Sequence, residues 1–232
     1  MRDYNERQHA FISATFYRRL SAEYGERGVQ TFTLATQRYA EQRGSRMAQK
    51  AIMLGLPLNF ESYLALGEWE FTQGFLADLD SPQAEVVSFE PDFEFNFLAC
   101  PWHEQYKAMG LMEGARVYCK DLDTSIARGF NPYLTFEVPQ TMHDGEKCMF
   151  RLKGAALTGP VEKKREYLLP FEYHCAHLYF TFSAICKSIF KSEGVALSAQ
   201  VLSDFGAEYG KDMADGLTRY EGEDFNVIRI WQ

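Results

Sequence analysis

The chain has 232 residues, a formal net charge of −8 and 15% aromatic residues. That length suits one large domain or two small ones with a real core. The acidic balance argues against nucleic acid as a main partner, because phosphate backbones call for a basic face. The richest basic run, Lys163-Lys164-Arg165, is short and reads as a solvated turn. No window of about 18 apolar residues occurs, so no membrane-spanning helix is expected. Residues 1–6 are polar, with no apolar run behind them to suggest a signal peptide. Five cysteines without a secretory context point to reduced thiols and a cytoplasmic protein.

In chain order, Phe11, Ile12, Phe16 and Leu20 recur at helical spacing, which predicts a helix over 6–24 ended by Gly25 and Gly28. A second helix is expected over 29–54, broken at Leu56-Pro57-Leu58, and a third from an Asn59 cap through Trp69. Residues 86–89 and 93–97 read as strands, the second alternating Phe93, Phe95 and Phe97 with Glu94 and Asn96. A short helix follows over 102–109, with Pro101 in its first turn. Gly110 and Gly114 bracket a turn before a helix over 115–127, which Gly129 ends. A hairpin comes next, with strands at 134–138 and 148–152 around Asp144-Gly145. Two helices, 170–190 and 195–218, precede a closing strand at 225–231. The order implies an α+β fold: a mainly antiparallel sheet of about four to five strands with helices packed around it. The chain is read as a single domain, 1–232, with its motif region at 95–153.

An internal echo accompanies this pattern. GVQTFTLATQRYAEQRGSRMA from Gly28 aligns without gaps on GVALSAQVLSDFGAEYGKDMA from Gly194. Either these are two equivalent helices flanking the sheet, or two unrelated helices with similar small-residue packing.

The stretch from Cys100 to Lys153 concentrates the chemistry. It holds three of the five cysteines and two of the five histidines. Cys119 and Asp123 lie four apart on a helix and share a face. Cys148 sits on a strand among inward-pointing mates, and Cys100 stands at a strand exit beside His103. Such thiols are core residues, metal ligands completed by His103 or His143, or a nucleophile activated by a nearby base. The absence of a CxxC pair weakens the zinc reading. Asn131, held extended before Pro132, could bind a ligand carboxylate or build the turn; Arg128 could clamp a carboxylate or be solvated. His174 and His177, three apart, form a second cluster that reads as buried interface histidines.

Tyr118-Cys119, Asp123, the Gly129-Phe130-Asn131-Pro132 run, Gly145 and Cys148, together with CPWHEQY from Cys100, resemble the L-2-amino-thiazoline-4-carboxylic acid hydrolase family. A weaker likeness, a Gly-x-x-Cys hairpin late in the domain, is to vinyl-reductase-type and Golgi-tethering α+β ligand-binding domains. The first resemblance implies a hydrolase that opens a cyclic C–N bond of a thiazoline-type cyclic isothiourea or amidine, giving N-carbamoyl-cysteine. It implies Cys119 as nucleophile, with Asp123 or His103 managing protons. Asn131 and Arg128 would hold the substrate carboxylate, and Cys100 and Cys148 would line the pocket. No cofactor is needed if the thiol attacks; a metal-bound hydroxide held by the Cys/His/Asp set is the other route, and it avoids the rise in thiol pKa that Asp123 would cause. The expected partner is a small-molecule substrate, with neither nucleic acid nor membrane. Two other readings remain: a non-catalytic small-molecule-binding or sensing domain, and an interaction protein whose helices pair into a homodimer.

Overall fold

The computed structural model describes residues 4–80 and 82–229. In chain order it contains α1 (Glu6–Met53), α2 (Phe60–Ala65), α3 (Gln73–Ala77), β1 (Ala84–Ser88), β2 (Phe93–Phe97), α4 (Pro101–Ala108), α5 (Met112–Phe130), β3 (Phe136–Gln140) and β4 (Cys148–Leu152). A short 3-10 turn, Arg165–Tyr167, leads to α6 (Phe171–Phe190), α7 (Ser192–Tyr209) and α8 (Lys211–Thr218). The fold is α+β. Among the described residues, no helix is long and apolar enough to cross a membrane.

The chain weaves between two compact units. Residues 4–39, Pro101–Tyr118 and Pro170–Glu223 form the first; Ala40–Cys100, Cys119–Leu169 and 224–229 form the second.

The first unit is helical. α1 breaks at Gly25, where φ is 54° and ψ −132°, a combination that side chains resist. The helix resumes at once, so Gly28 lies inside it rather than marking an end. A Cβ on Gly28 would fall 1.9 Å from the Leu20 carbonyl oxygen, so the two arms touch backbone to backbone. Phe16, Leu20, Phe32, Phe182 and Phe205 fill the core between the arms. Each fully buried ring or aliphatic chain contributes about 1.5–3 kcal/mol of hydrophobic stabilisation.

The echo in the sequence is a repeat in the structure. Lys191, the counterpart of Gly25, has nearly the same backbone, φ 58° and ψ −125°. A Cβ on Gly194 would meet the Cys186 carbonyl oxygen at 2.2 Å, as Gly28 meets that of Leu20. Residues contact their own counterparts, as across a two-fold axis: Tyr24 on Phe190 at 3.8 Å and Phe16 on Phe182 at 5.3 Å between ring centroids. Tyr39 on His177 likewise mirrors Phe205 on Phe11. The two copies are helical hairpins, and the parts of them that belong to this unit pack on each other; residues 40–53 of α1 belong to the second unit.

The second unit is built on a four-stranded antiparallel sheet in the order β1-β2-β4-β3. Period-2 alternation separates its faces. Phe95 pairs with Phe150, Phe97 with Cys148, and both Phe93 and Phe136 with Leu152, so these side chains share one face. Met47, Phe60, Tyr63, Leu66, Ile126 and Phe130 join them in the core. The opposite face is polar, tied by Arg151–Glu94 at 2.7 Å and Lys147–Glu85 at 2.9 Å. A buried ion trio pins the helical side: Arg46 meets Glu68 at 2.6 Å and Lys50 meets it at 3.3 Å.

Several boundaries differ from the expectation. α2 stops at Ala65, before Gly67, although Asn59 caps it as expected by accepting from the Ser62 N–H at 3.0 Å. α5 is longer at both ends. Gly114 and Gly129 sit inside it because a Cβ there would strike the Tyr17 ring at 2.4 Å and the Glu41 carbonyl oxygen at 2.3 Å. α3 was not anticipated, and the last long helix divides at Gly210, φ 103°. Residues 225–229 are turn and coil rather than strand, with the Phe225 carbonyl held by Arg46; the rest of the expected strand lies outside the described residues.

Candidate active site

Helical geometry puts Cys119, Leu122, Asp123 and Ile126 along one face of α5. β4 supplies Cys148, β2 leads to Cys100, and the connection after β3 supplies Met142 and His143. All belong to the second unit. The connection reaches both inner thiols. His143 Nε2 lies 3.2 Å from Cys119 Sγ, and the Met142 N–H donates to Cys148 Sγ at 3.2 Å.

The electrostatics of this cluster oppose a thiolate. Burial pushes the Cys119 thiol well above its usual range, and Cys100, Asp123 and Cys148 push it further. Cys148 is also raised by burial, with the Met142 N–H pulling the other way and Asp123 adding to the rise. Burial lifts Asp123 to about 6, and Arg43 opposes that rise. A carboxyl poised there can exchange protons near neutrality.

Asp123 faces a cavity of about 500 Å³. Arg43 and Lys163 bring positive charge to its wall, while Trp69, Phe71, Phe97 and Phe150 bring rings. The Arg43 guanidinium lies over the Trp69 ring, 5.4 Å from its centroid. Lys163 Nζ donates to the carbonyls of Trp69 at 3.0 Å and Gly67 at 3.4 Å, and burial lowers its pKa. Lys163 is therefore an inward lysine and not part of a solvated turn; Arg165, in the same basic run, keeps a 77% exposed side chain.

The structure brings Cys100, Cys119, Asp123 and Cys148 together, with His143, one of the two histidines offered as a metal ligand, at Cys119. His103 belongs to the first unit, on α4, with Nε2 3.9 Å from a Glu104 carboxylate oxygen. The imidazole at Cys119 is that of His143. Asn131 is occupied in its turn, donating to the Leu58 carbonyl at 2.7 Å and accepting from the Tyr133 N–H at 3.0 Å. Arg128 pairs with Glu41 at 2.8 Å and with Ser125. His174 and His177 are buried in the first unit. Among the described residues, no group of three or more His, Cys, Asp or Glu side chains converges so as to hold a metal ion.

Arg43, Lys163 and Trp69 were not foreseen as site residues. Their types are common on solvated helix faces and in cores, and only tertiary packing sets them around one space. His143 was read as a possible metal ligand, and its place as the hydrogen-bond partner of Cys119 was not foreseen.

In this α+β protein one cavity thus gathers aromatic rings, cationic side chains and the Asp123 carboxyl, beside a thiol–imidazole pair. The chain belongs to the L-2-amino-thiazoline-4-carboxylic acid hydrolase family, whose model matches residues 4–152. The match takes in Arg43, Trp69, Cys100, Cys119, Asp123, His143 and Cys148, and ends before Lys163 and the second hairpin. The family carries the name of a hydrolase, which supports enzymatic activity at that coarse level. No curated protein and no solved structure matches the chain.

Proposed function

We propose that the chain hydrolyses a carboxylate-bearing cyclic isothiourea or amidine, of which L-2-amino-thiazoline-4-carboxylate is the type. The observation that carries this reading is Asp123, a half-buried carboxyl lifted to about 6 on the wall of a cavity that Arg43 and Lys163 also line. In this mechanism Asp123 takes a proton from water as the oxygen adds to the ring carbon between sulfur and nitrogen. Arg43 and Lys163 hold the substrate carboxylate. The ring opens, and the proton passes to the departing atom.

Atom balance names that atom. N-carbamoyl-cysteine keeps both nitrogens on the attacked carbon, so the bond broken to reach it is ring C–S. Cleavage of the ring C–N bond, as expected from the sequence, would leave S-carbamoyl-cysteine instead. A cysteine thiolate is also the better leaving group, since its conjugate acid has a pKa of about 8.5.

A second reading has its own observation, the 3.2 Å approach of His143 to Cys119. Here the thiol passes its proton to His143, its sulfur attacks the same carbon, the substrate sulfur departs, and water releases the adduct. The raised pKa of Cys119 weighs against it. Among the described residues that line the cavity, Cys119 is not one.

Turnover of L-2-amino-thiazoline-4-carboxylate by Asp123→Asn and Cys119→Ala, followed with intact-protein mass spectrometry, separates these. Loss with Asp123→Asn alone and no adduct supports water activation. A trapped adduct on Cys119, abolished in Cys119→Ala, replaces it by the thiol route. No hydration by the unmodified protein sinks the hydrolase reading.

A further inference from the structure

The rings of the cavity wall form a belt. Trp69 meets Phe71 at 5.4 Å, Phe71 meets Phe97 at 5.6 Å, and Phe97 meets Phe150 at 5.2 Å between centroids. Phe150 then meets Phe136 at 5.9 Å, and Phe136 meets Tyr63 at 6.1 Å. The charged residues complete the circuit, with Asp123 acting on Tyr63, and Arg43 lying over Trp69. Trp69, Phe71, Phe97 and Phe136 are only half-buried, so ring surface faces the cavity.

The bare thiazoline acid does not use this wall. It has about nine non-hydrogen atoms, far fewer than the drug-sized ligands that pockets of about 300–1,000 Å³ enclose. The cavity measures about 500 Å³. Its carboxylate and amidine also address only the charged arc, which leaves the aromatic arc uncovered. Water against such rings is costly, and a flat π-face is the group that recovers most from them.

We propose that the substrate carries a flat aromatic or heteroaromatic substituent, seated in the ring belt while its carboxylate and cyclic amidine meet Arg43, Lys163 and Asp123. This inference rests on the hydrolase reading for the reacting end and on the belt for the other. Binding to the inward wall would favour offset or edge-to-face contact with Phe71 and Phe97.

The test compares two probes by calorimetry and turnover: L-2-amino-thiazoline-4-carboxylate and the same acid bearing a naphthylmethyl group on its exocyclic nitrogen. The aryl acid is expected to bind at least tenfold more tightly. In Phe71→Ala that preference is expected to fall below threefold, and Phe97→Leu, which keeps the core volume better filled, is expected to narrow it too. Equal or weaker binding of the aryl acid, or a preference unchanged in both variants, overturns the inference. Hydration of the bare acid in that case leaves the hydrolase reading standing. Tight aryl binding without hydration of either probe keeps the aromatic subsite and overturns the hydrolase reading instead.

Discussion

Cys119 and Asp123 stand one helical turn apart on α5, and Asp123 raises the proton affinity of Cys119. Burial dominates for both, and Asp123 adds directly to the rise at Cys119. Two neighbouring acids, both partly shielded from water, do not both ionise easily. In the proposed mechanism the one with the lower pKa, Asp123, is the base.

The pH dependence follows. Activity through Asp123 should rise as pH climbs through about 6, its folded value. Asp123→Asn should lower kcat/KM by roughly a hundredfold to ten-thousandfold, the usual weight of a general base. A full pH–rate profile of both proteins checks this; a wild-type profile flat from pH 5 to 7 would count against it.

Stability should move the opposite way. Asp123 has its pKa raised from 3.8 to about 6 on folding, so between those values the folded chain holds a proton that the unfolded chain has lost. Stability therefore falls as pH rises through that interval. Asp123→Asn removes the penalty and should stabilise the protein at pH 7 by up to about 3 kcal/mol. The gain should vanish below pH 4, measured by urea denaturation at each pH.

Replacing Cys119 by Ala should leave turnover within about tenfold of the unmodified protein, because a thiol with a raised pKa contributes little nucleophile at neutral pH. Steady-state rates check this. A loss of a thousandfold would favour the thiol route.

Arg43→Gln and Lys163→Met should each raise KM by roughly tenfold to hundredfold, the weight of about 1.5–3 kcal/mol for a charge-assisted hydrogen bond to a carboxylate. The same substitutions should matter far less for a probe with a neutral amide in place of the carboxylate. An equal effect on both probes would place the two cations elsewhere in the mechanism.

The repeat makes a prediction about strain. Lys191 holds the backbone that Gly25 holds in the first hairpin, with φ 58° and 54°. Lys191→Gly should raise stability by about 1 kcal/mol, and Gly25→Ala should lower it by about 1–3 kcal/mol. Thermal melting of both variants tests the equivalence. A destabilised Lys191→Gly would mean the second corner is held by the lysine side chain.

Much of the fold was legible. β2 and β4 fall where alternation placed them, because a half-buried strand writes its two faces into every second residue. The break in α1 was marked by Gly25, and the gap-free echo from Gly28 and Gly194 marked the repeat. Gly114 and Gly129 misled, since a glycine needed for close packing inside a helix looks the same in sequence as one that ends it. The site was half legible. Cys119 and Asp123 are bound by helical spacing, which sequence records. Arg43, Trp69 and Lys163 converge only through the packing of distant segments, and a charged residue beside other charges reads as solvated until that packing is known. Asn131 and Arg128 had suitable chemistry, but nearby backbone and Glu41 already occupy them.

The most direct measurement is mass spectrometry of L-2-amino-thiazoline-4-carboxylate incubated with the unmodified protein and with Asp123→Asn. A product heavier by one water, carrying a new free thiol and formed at least a hundredfold more slowly by Asp123→Asn, is the predicted result. No such product from the unmodified protein, or an undiminished rate in Asp123→Asn, would contradict the account.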